Sequence, residues 1–258
     1  MKKVLNFLIG LCLLIALICM VLLGRYFLLM EKSKEDFKDL KKYVPAIEDR
    51  ITDKNAKKKN SPAGEQNLFS GLLALKKKNK DFAGWLTIAD TKIEYPVMFT
   101  PLEPEYYLKR SFSKKNSIAG TPFIDGRCKL FPQSDNLIIY GHNMKNGSMF
   151  GDLLSYTEEE FYQTHPKIRF FLPGEEQEYE IFAVIKTKVY PTPKFNCYSM
   201  IQAENEEDFN SYIQEIKKCA LYETGITPKY KEKLMTLSTC AYHDVYGRLL
   251  VMGRRRSC

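Results

Sequence analysis

Seven short runs of strand-forming residues, separated by connections rich in Pro, Gly and Asn, limit this chain more than any other feature of its 258 residues. They fall at residues 85–88, 93–98, 136–140, 168–172, 178–190, 234–239 and 248–252. Strands so dispersed must pair over long sequence separations, and a set of non-local strands folds as a barrel or a sandwich. One helix interrupts the late strands. Asn205 is placed as its N-cap, acidic residues follow, and Phe209, Tyr212, Ile213 and Ile216 form one apolar stripe for core packing. A further helix is predicted from residue 65 to about 78, with Leu68, Phe69, Leu72 and Leu73 on the face that meets the strands. An apolar share of 45%, with 13% aromatic residues, excludes a largely disordered chain.

The N-terminus is of another kind. Residues 4–24 are almost unbroken hydrocarbon, and as a helix they would run about 30 Å, enough to cross a bilayer core. The run is long for a signal peptide, and Arg25-Tyr-Phe-Leu-Leu follows it where a small-residue cleavage site would be needed. An uncleaved anchor is therefore expected over residues 1–25. Lys2 and Lys3 before the run and Arg25, Lys32 and Lys34 after it do not set its orientation. Residues 26–64 read as a charged helical stalk and linker. Phe37, Leu40, Val44, Ile47 and Ile51 lie at roughly helical spacing, Pro45 is a break, and Lys57-Lys-Lys59 is a solvated spacer. Residues 65–258 then form one β-rich domain of sufficient size to bury a core.

A net charge of +8 raises the question of nucleic acid, but no helix-turn-helix, RNA-binding signature or zinc-finger spacing accompanies it. The basic residues are scattered or sit in linker and tail, so no nucleic-acid partner is expected. Cys12 and Cys19 lie in the apolar run, leaving Cys128, Cys197, Cys219, Cys240 and Cys258 outside it, an odd set without repeated spacing. That pattern indicates no disulfide framework. Cys240 and His243 have chelating spacing, but no second pair completes a four-ligand site, and neither metal nor cofactor is expected.

Chemistry concentrates in three segments. Thr236-Leu-Ser-Thr-Cys240 and Gly247-Arg248-Leu-Leu-Val251 read as two strands joined by residues 241–247, and antiparallel pairing would put Cys240 and Arg248 at the same end. His142 follows the apolar run 136–140, with Gly141 as the turn. A thiol, an imidazole and a permanent cation suffice for acyl transfer: the thiolate attacks a carbonyl, the imidazole moves protons, and the guanidinium stabilises the developing oxyanion. His165 and His243 are weaker candidates for the base.

The TLSTC segment ending at Cys240, the GHNM segment with His142 and the GRLLV segment with Arg248 resemble the active-site motifs of the class B sortases. Asp81-Phe-Ala-Gly-Trp85-Leu, Ile93-Glu-Tyr-Pro-Val97, Tyr106-Tyr-Leu-Lys-Arg110, Thr121-Pro-Phe-Ile-Asp125 and Ser148-Met-Phe-Gly-Asp152 extend the resemblance over roughly residues 66–253. It implies a mainly β fold: a closed barrel of about eight strands with N-terminal helices and a helix inserted between the sixth and seventh strands. It also implies catalysis by Cys240, His142 and Arg248 in a membrane-anchored cysteine transpeptidase. Such an enzyme cleaves the C-terminal sorting signal of a surface protein after Thr, through a thioacyl-enzyme, and transfers it to an amine of the peptidoglycan cross-bridge or its precursor.

The same resemblance implies sorting signals of N/S/P-P-x-T character and a single-pass membrane protein with its catalytic domain on the extracellular side of a Gram-positive-type bacterium. Ser238, Thr239, Tyr140 and Asn143 flank the motifs and are candidates to contact substrate. Ala241 and Tyr242 stand where some relatives carry an acidic residue, which leaves Asp244 as a candidate to orient His142. A thiol hydrolase that trims sorting signals shares the acylation step and stays open beside the transpeptidase. So does an idle binding module, although none of the three residues is missing.

Overall fold

The computed structural model describes residues 2–45, 47, 62–188, 195–240 and 247–255. Eight strands close into a barrel: β1 (Phe82–Thr87), β2 (Glu94–Met98), β3 (Phe123–Ile124), β4 (Asn136–Tyr140), β5 (Lys167–Leu172), β6 (Glu175–Lys188), β7 (Lys233–Cys240) and β8 (Gly247–Arg255). Their order around the barrel is β1-β2-β3-β4-β7-β8-β6-β5. The β2–β3 and β4–β7 pairs are parallel, and the remaining neighbours are antiparallel. A parallel neighbour needs a long crossover. Between β4 and β7 the chain makes β5, β6 and two α-helices before it returns.

The seven runs legible in the sequence are all strands of this barrel, and β3 is the addition. Two residues are too few for any alternation to show. Its existence is fixed by its neighbours, since Phe123 pairs with Met98 on one side and with Tyr140 on the other.

Both faces of several strands are covered, so β1 and β2 are buried along their whole length and do not alternate. Leu86, Val97, Leu137, Ile139, Leu237 and Val251 belong to a cluster that fills the interior. A second cluster joins the outer face, through Phe82, Trp85 and Met98, to the N-terminal helices. Helix α1 runs unbroken from Lys2 to Lys41, and Pro45 lies just beyond its end. Its exposed apolar residues extend from Val4 to Leu29, after which Met30, Phe37 and Leu40 turn inward, followed by Val44 and Ile47.

Helix α2 (Pro62–Lys78) begins on a proline, which suits a first turn whose amide has no intrahelical acceptor. Leu68, Leu72 and Leu75 are fully buried on one face, while Leu73 is 49% exposed. A side chain five positions from Leu68 is rotated well off that face, so the helical period selects Leu75 where the sequence reading placed Leu73. Gly71 admits the chain after α1: a Cβ there would stand 1.7 Å from the Tyr43 carbonyl oxygen.

After the short α3 (Glu159–Thr164), helix α4 (Glu206–Cys219) lies between β6 and β7, the sixth and seventh strands. The Asn205 side chain accepts from the Asp208 N–H at 2.9 Å, and the first turn carries Glu206, Glu207 and Asp208. Acceptor and charge both answer the unpaired N–H groups there. Phe209, Tyr212, Ile213 and Ile216 are buried against Phe182, Leu234, Leu250 and Met252 of the barrel.

Candidate active site

Cys240 ends β7 and Arg248 stands one residue into β8, and the two are direct register partners across that antiparallel pair. The parallel pairing of β4 with β7 sets Tyr140 opposite Ser238, so the strand ends carrying His142 and Cys240 emerge side by side. Cys240, His142 and Arg248 all line one cleft of about 430 Å³, together with Leu108, Tyr140 and Tyr198. All three side chains are half-buried. The convergence expected of three strand ends is thus a consequence of register.

Hydrogen bonds stitch these strand ends together. The Gly141 N–H donates to the Ser238 carbonyl at 3.1 Å, and the Thr239 hydroxyl to the Gly141 carbonyl at 2.8 Å. The Asn143 side-chain amide donates to the Cys240 carbonyl at 3.0 Å. Packing requires glycine at 141, because a Cβ would stand 2.6 Å from the ring of Phe150 beneath it. The Phe150 N–H in turn donates to the His142 carbonyl at 2.8 Å, so the turn rests on a buried aromatic ring.

The imidazole of His142 is within 2.7 Å of the Leu108 carbonyl through Nε2. A carbonyl only accepts, so this contact places a proton on Nε2. The guanidinium of Arg248 donates from Nη1 to the Gly247 carbonyl at 2.9 Å, which holds the side chain along the strand end.

Of the four candidate substrate-contacting residues, Tyr140, Ser238 and Thr239 line the cleft, whereas Asn143 spends its amide on the Cys240 backbone. Ser238 and Thr239 are almost fully buried and their hydroxyls are engaged, Ser238 with the Tyr198 hydroxyl at 2.9 Å. Asp244 and His243 lie outside the described residues. His165 sits elsewhere, bonded through Nδ1 to the Phe161 carbonyl and stacked on that ring. Among the described residues no group of three or more His, Cys, Asp or Glu side chains is placed to hold a metal ion.

Two cleft residues carried no chemical signal in the sequence. Leu108 lies in the Tyr106–Lys109 turn and contributes a backbone carbonyl, which any residue type would supply. Tyr198 follows β6 in a segment without regular structure and stacks on Tyr140, centroids 6.1 Å apart. Burial pushes its hydroxyl up to about 12, although the Ser238 hydroxyl and the Arg248 charge act in the opposite direction.

Behind this aromatic pair, the Tyr140 hydroxyl donates to Asp125 at 2.8 Å, and Arg127 forks onto both oxygens of Asp125 at 2.9 and 2.8 Å. Arg127 also donates to the Tyr198 carbonyl at 3.2 Å. Burial alone would raise the Asp125 carboxyl. The Arg127 guanidinium and amide, with the Tyr140 hydroxyl, outweigh it and hold the group below the ordinary carboxylate range.

The Sortase domain family matches this chain over residues 86–256. Sortase B of Listeria monocytogenes is 37% identical over 182 residues, spanning 70% of this chain and 72% of the relative. Sortase B of Staphylococcus aureus is 31% identical over 183 residues, with the same shares of 70% and 72%. A mutant form of Clostridium perfringens sortase B superposes with a TM-score of 0.74 over 87% of this chain and 98% of that structure, at 24% identity, a likeness of fold.

Proposed function

The chain belongs to the sortase family, class B, whose members are cysteine transpeptidases acting on sorting signals, and from that premise we propose how its own residues carry the reaction. The Cys240 thiolate attacks the carbonyl of the signal's threonine. A sulfur–carbon bond forms, the carbonyl π electrons move to oxygen, and Arg248 stabilises that charge. Collapse breaks the C–N bond, with the proton on His142 passing to the departing amine. An incoming amine then attacks the thioester, gives a proton back to His142 and expels the thiolate. Water in place of the amine yields hydrolysis.

The observation that carries this reading is the convergence of Cys240, His142 and Arg248 on one cleft from β7, the turn after β4, and β8. With the Nε2 proton of His142 held by the Leu108 carbonyl, Nδ1 is the nitrogen left to give a proton to the departing amine and take one from the incoming amine. Ser238 and Thr239 act as supports of the cleft wall, while Tyr140 and Tyr198 offer aromatic surface to the signal peptide, of N/S/P-P-x-T character.

The same reading assigns residues 1–25 to a membrane anchor, 26–64 to a charged helical stalk and linker, and 65–258 to the catalytic domain. The large apolar side chains of α1 from Val4 to Leu28 are exposed, as a lipid-facing helix requires. The catalytic domain then works outside the cell, where the acceptor is a peptidoglycan cross-bridge or precursor amine.

The test is cleavage of a panel of quenched peptides of the N/S/P-P-x-T type by the full chain, with and without an amine acceptor, beside Cys240→Ala. Cleavage after Thr, an amine-joined product and silence of the variant are expected. Hydrolysis product alone, with every acceptor tried, would replace transpeptidation by trimming.

A further inference from the structure

A second cleft lies on the far side of the loop that follows His142. It measures about 790 Å³, against about 430 Å³ for the site around Cys240. One wall is the inward-turned end of α1, with Met30, Lys38 and Lys41; another is β2 with the turn before it, carrying Lys92 and Glu94. The 146–149 stretch of the His142 loop closes it, and the Met149 N–H is held by the Tyr95 hydroxyl at 3.0 Å.

Its charges are unevenly matched. Three lysines and one glutamate line it, Lys41 pairs with Oε2 of Glu94, and Asp152 stands beside Lys92, its Oδ2 accepting from the Lys92 amide N–H at 2.7 Å. Lys38 and Lys92 have no ion-pair partner among the described residues. Glu94 is only 8% exposed, and its Oε1 is buried without any hydrogen-bond donor. A buried carboxylate oxygen left unpaired is costly, so a group that brings a donor to it would be favoured. The cleft therefore asks for an anionic group between Lys38 and Lys92 and an O–H or N–H donor close by, directed at Glu94.

Position narrows the source. Met30 lines the cleft and directly follows Leu29, the last of the exposed apolar residues of α1. If residues 4–24 cross the bilayer, as proposed above, the cleft opens at the headgroup layer. Basic groups there attract anionic lipid. We propose that this cleft holds the headgroup of an anionic phospholipid of the phosphatidylglycerol type, with the phosphate between Lys38 and Lys92 and a glycerol hydroxyl donating to the Glu94 carboxylate. The lipid then braces α1 against the loop that carries His142. Phosphatidylcholine has no headgroup donor and no net charge, and satisfies neither requirement.

The experiment counts lipids retained by the full chain. The protein is purified in a maltoside detergent, incubated with equal amounts of phosphatidylglycerol and phosphatidylcholine, and weighed by native mass spectrometry. One phosphatidylglycerol should be retained at least about fivefold over phosphatidylcholine. Lys38→Gln with Lys92→Gln should remove that retention, Glu94→Gln should narrow the preference between the lipids, and Arg25→Gln should leave it unchanged. Thermal unfolding of each variant separates loss of the site from loss of the fold.

Equal retention of the two lipids, or retention lost in Arg25→Gln but kept in the double lysine variant, would overturn the proposal. So would full displacement of the lipid by millimolar inorganic phosphate, which would mark a site for the free anion. Flotation of the chain with membranes is scored separately, so failure of the anchor reading is distinguishable from failure of the headgroup site.

Discussion

The side-chain amide of Asn143 donates to the backbone carbonyl of Cys240 across 3.0 Å, joining residues 97 positions apart. Asn143 is only 8% exposed, so its amide bonds within the protein and not to solvent. With the Gly141–Ser238 and Thr239–Gly141 bonds, this contact ties the loop bearing the proposed acid–base residue to the strand end bearing the proposed nucleophile. It favours a positioning role for Asn143 and leaves Tyr140 and Tyr198 as the surface proposed to meet the signal peptide.

Asn143→Ala should therefore lower kcat by about tenfold, the size of one buried hydrogen bond of about 1–1.5 kcal/mol, with KM little changed. Cleavage kinetics on a single sorting peptide, beside the melting temperature of the variant, check this. A rise in KM at constant kcat would return Asn143 to the substrate-contacting set.

Arg248 presents a planar, permanently charged fork to the cleft, anchored on the Gly247 carbonyl. Arg248→Lys should lose about 100-fold or more in kcat/KM, because a point charge on a flexible stem does not reproduce the fork. Stability should change by less than about 0.5 kcal/mol, since the side chain is half-exposed at a strand end. Steady-state kinetics and denaturant unfolding separate the two effects.

The Asp125 carboxyl is held low by Arg127 and Tyr140, and the sign of its contribution follows. A carboxyl whose folded-state pKa lies below the unfolded value of about 3.9 adds stability that is fully present above that value. The contribution is lost as pH falls through the depressed pKa. Asp125→Asn should be less stable than the parent by about 1–3 kcal/mol near neutrality, with a shallower loss of stability between about pH 4 and 2. Urea unfolding across that range measures both.

Cys128 and Cys197 are buried, and burial pushes each thiol up to about 11. Native alkylation near pH 8 should leave both unmodified, because about one thiol in a thousand is then ionised and access is closed. Cys240 and the exposed Cys219 should be labelled under the same conditions. Peptide mapping after brief iodoacetamide treatment decides the matter, and labelling of Cys128 before unfolding would contradict the packing of β4.

Several features were settled by the sequence alone, since local chemistry suffices for them. The alternating or continuous apolar runs mark seven of eight strands, the Asn205 cap and acidic first turn start α4, and the apolar stretch 4–24 is helical throughout. The three motif segments name Cys240, His142 and Arg248, and the approach of Cys240 to Arg248 follows from two strands joined by a short connection. Tertiary structure decided the rest, because it depends on pairings between distant segments. The parallel register of Tyr140 with Ser238 brings the His142 turn beside the Cys240 strand end, and β3 exists only because Met98 and Tyr140 flank it. The Leu108 carbonyl and the Tyr198 ring reach the cleft for the same reason: a backbone acceptor has no sequence signature, and a tyrosine declares its neighbours only once the barrel has closed.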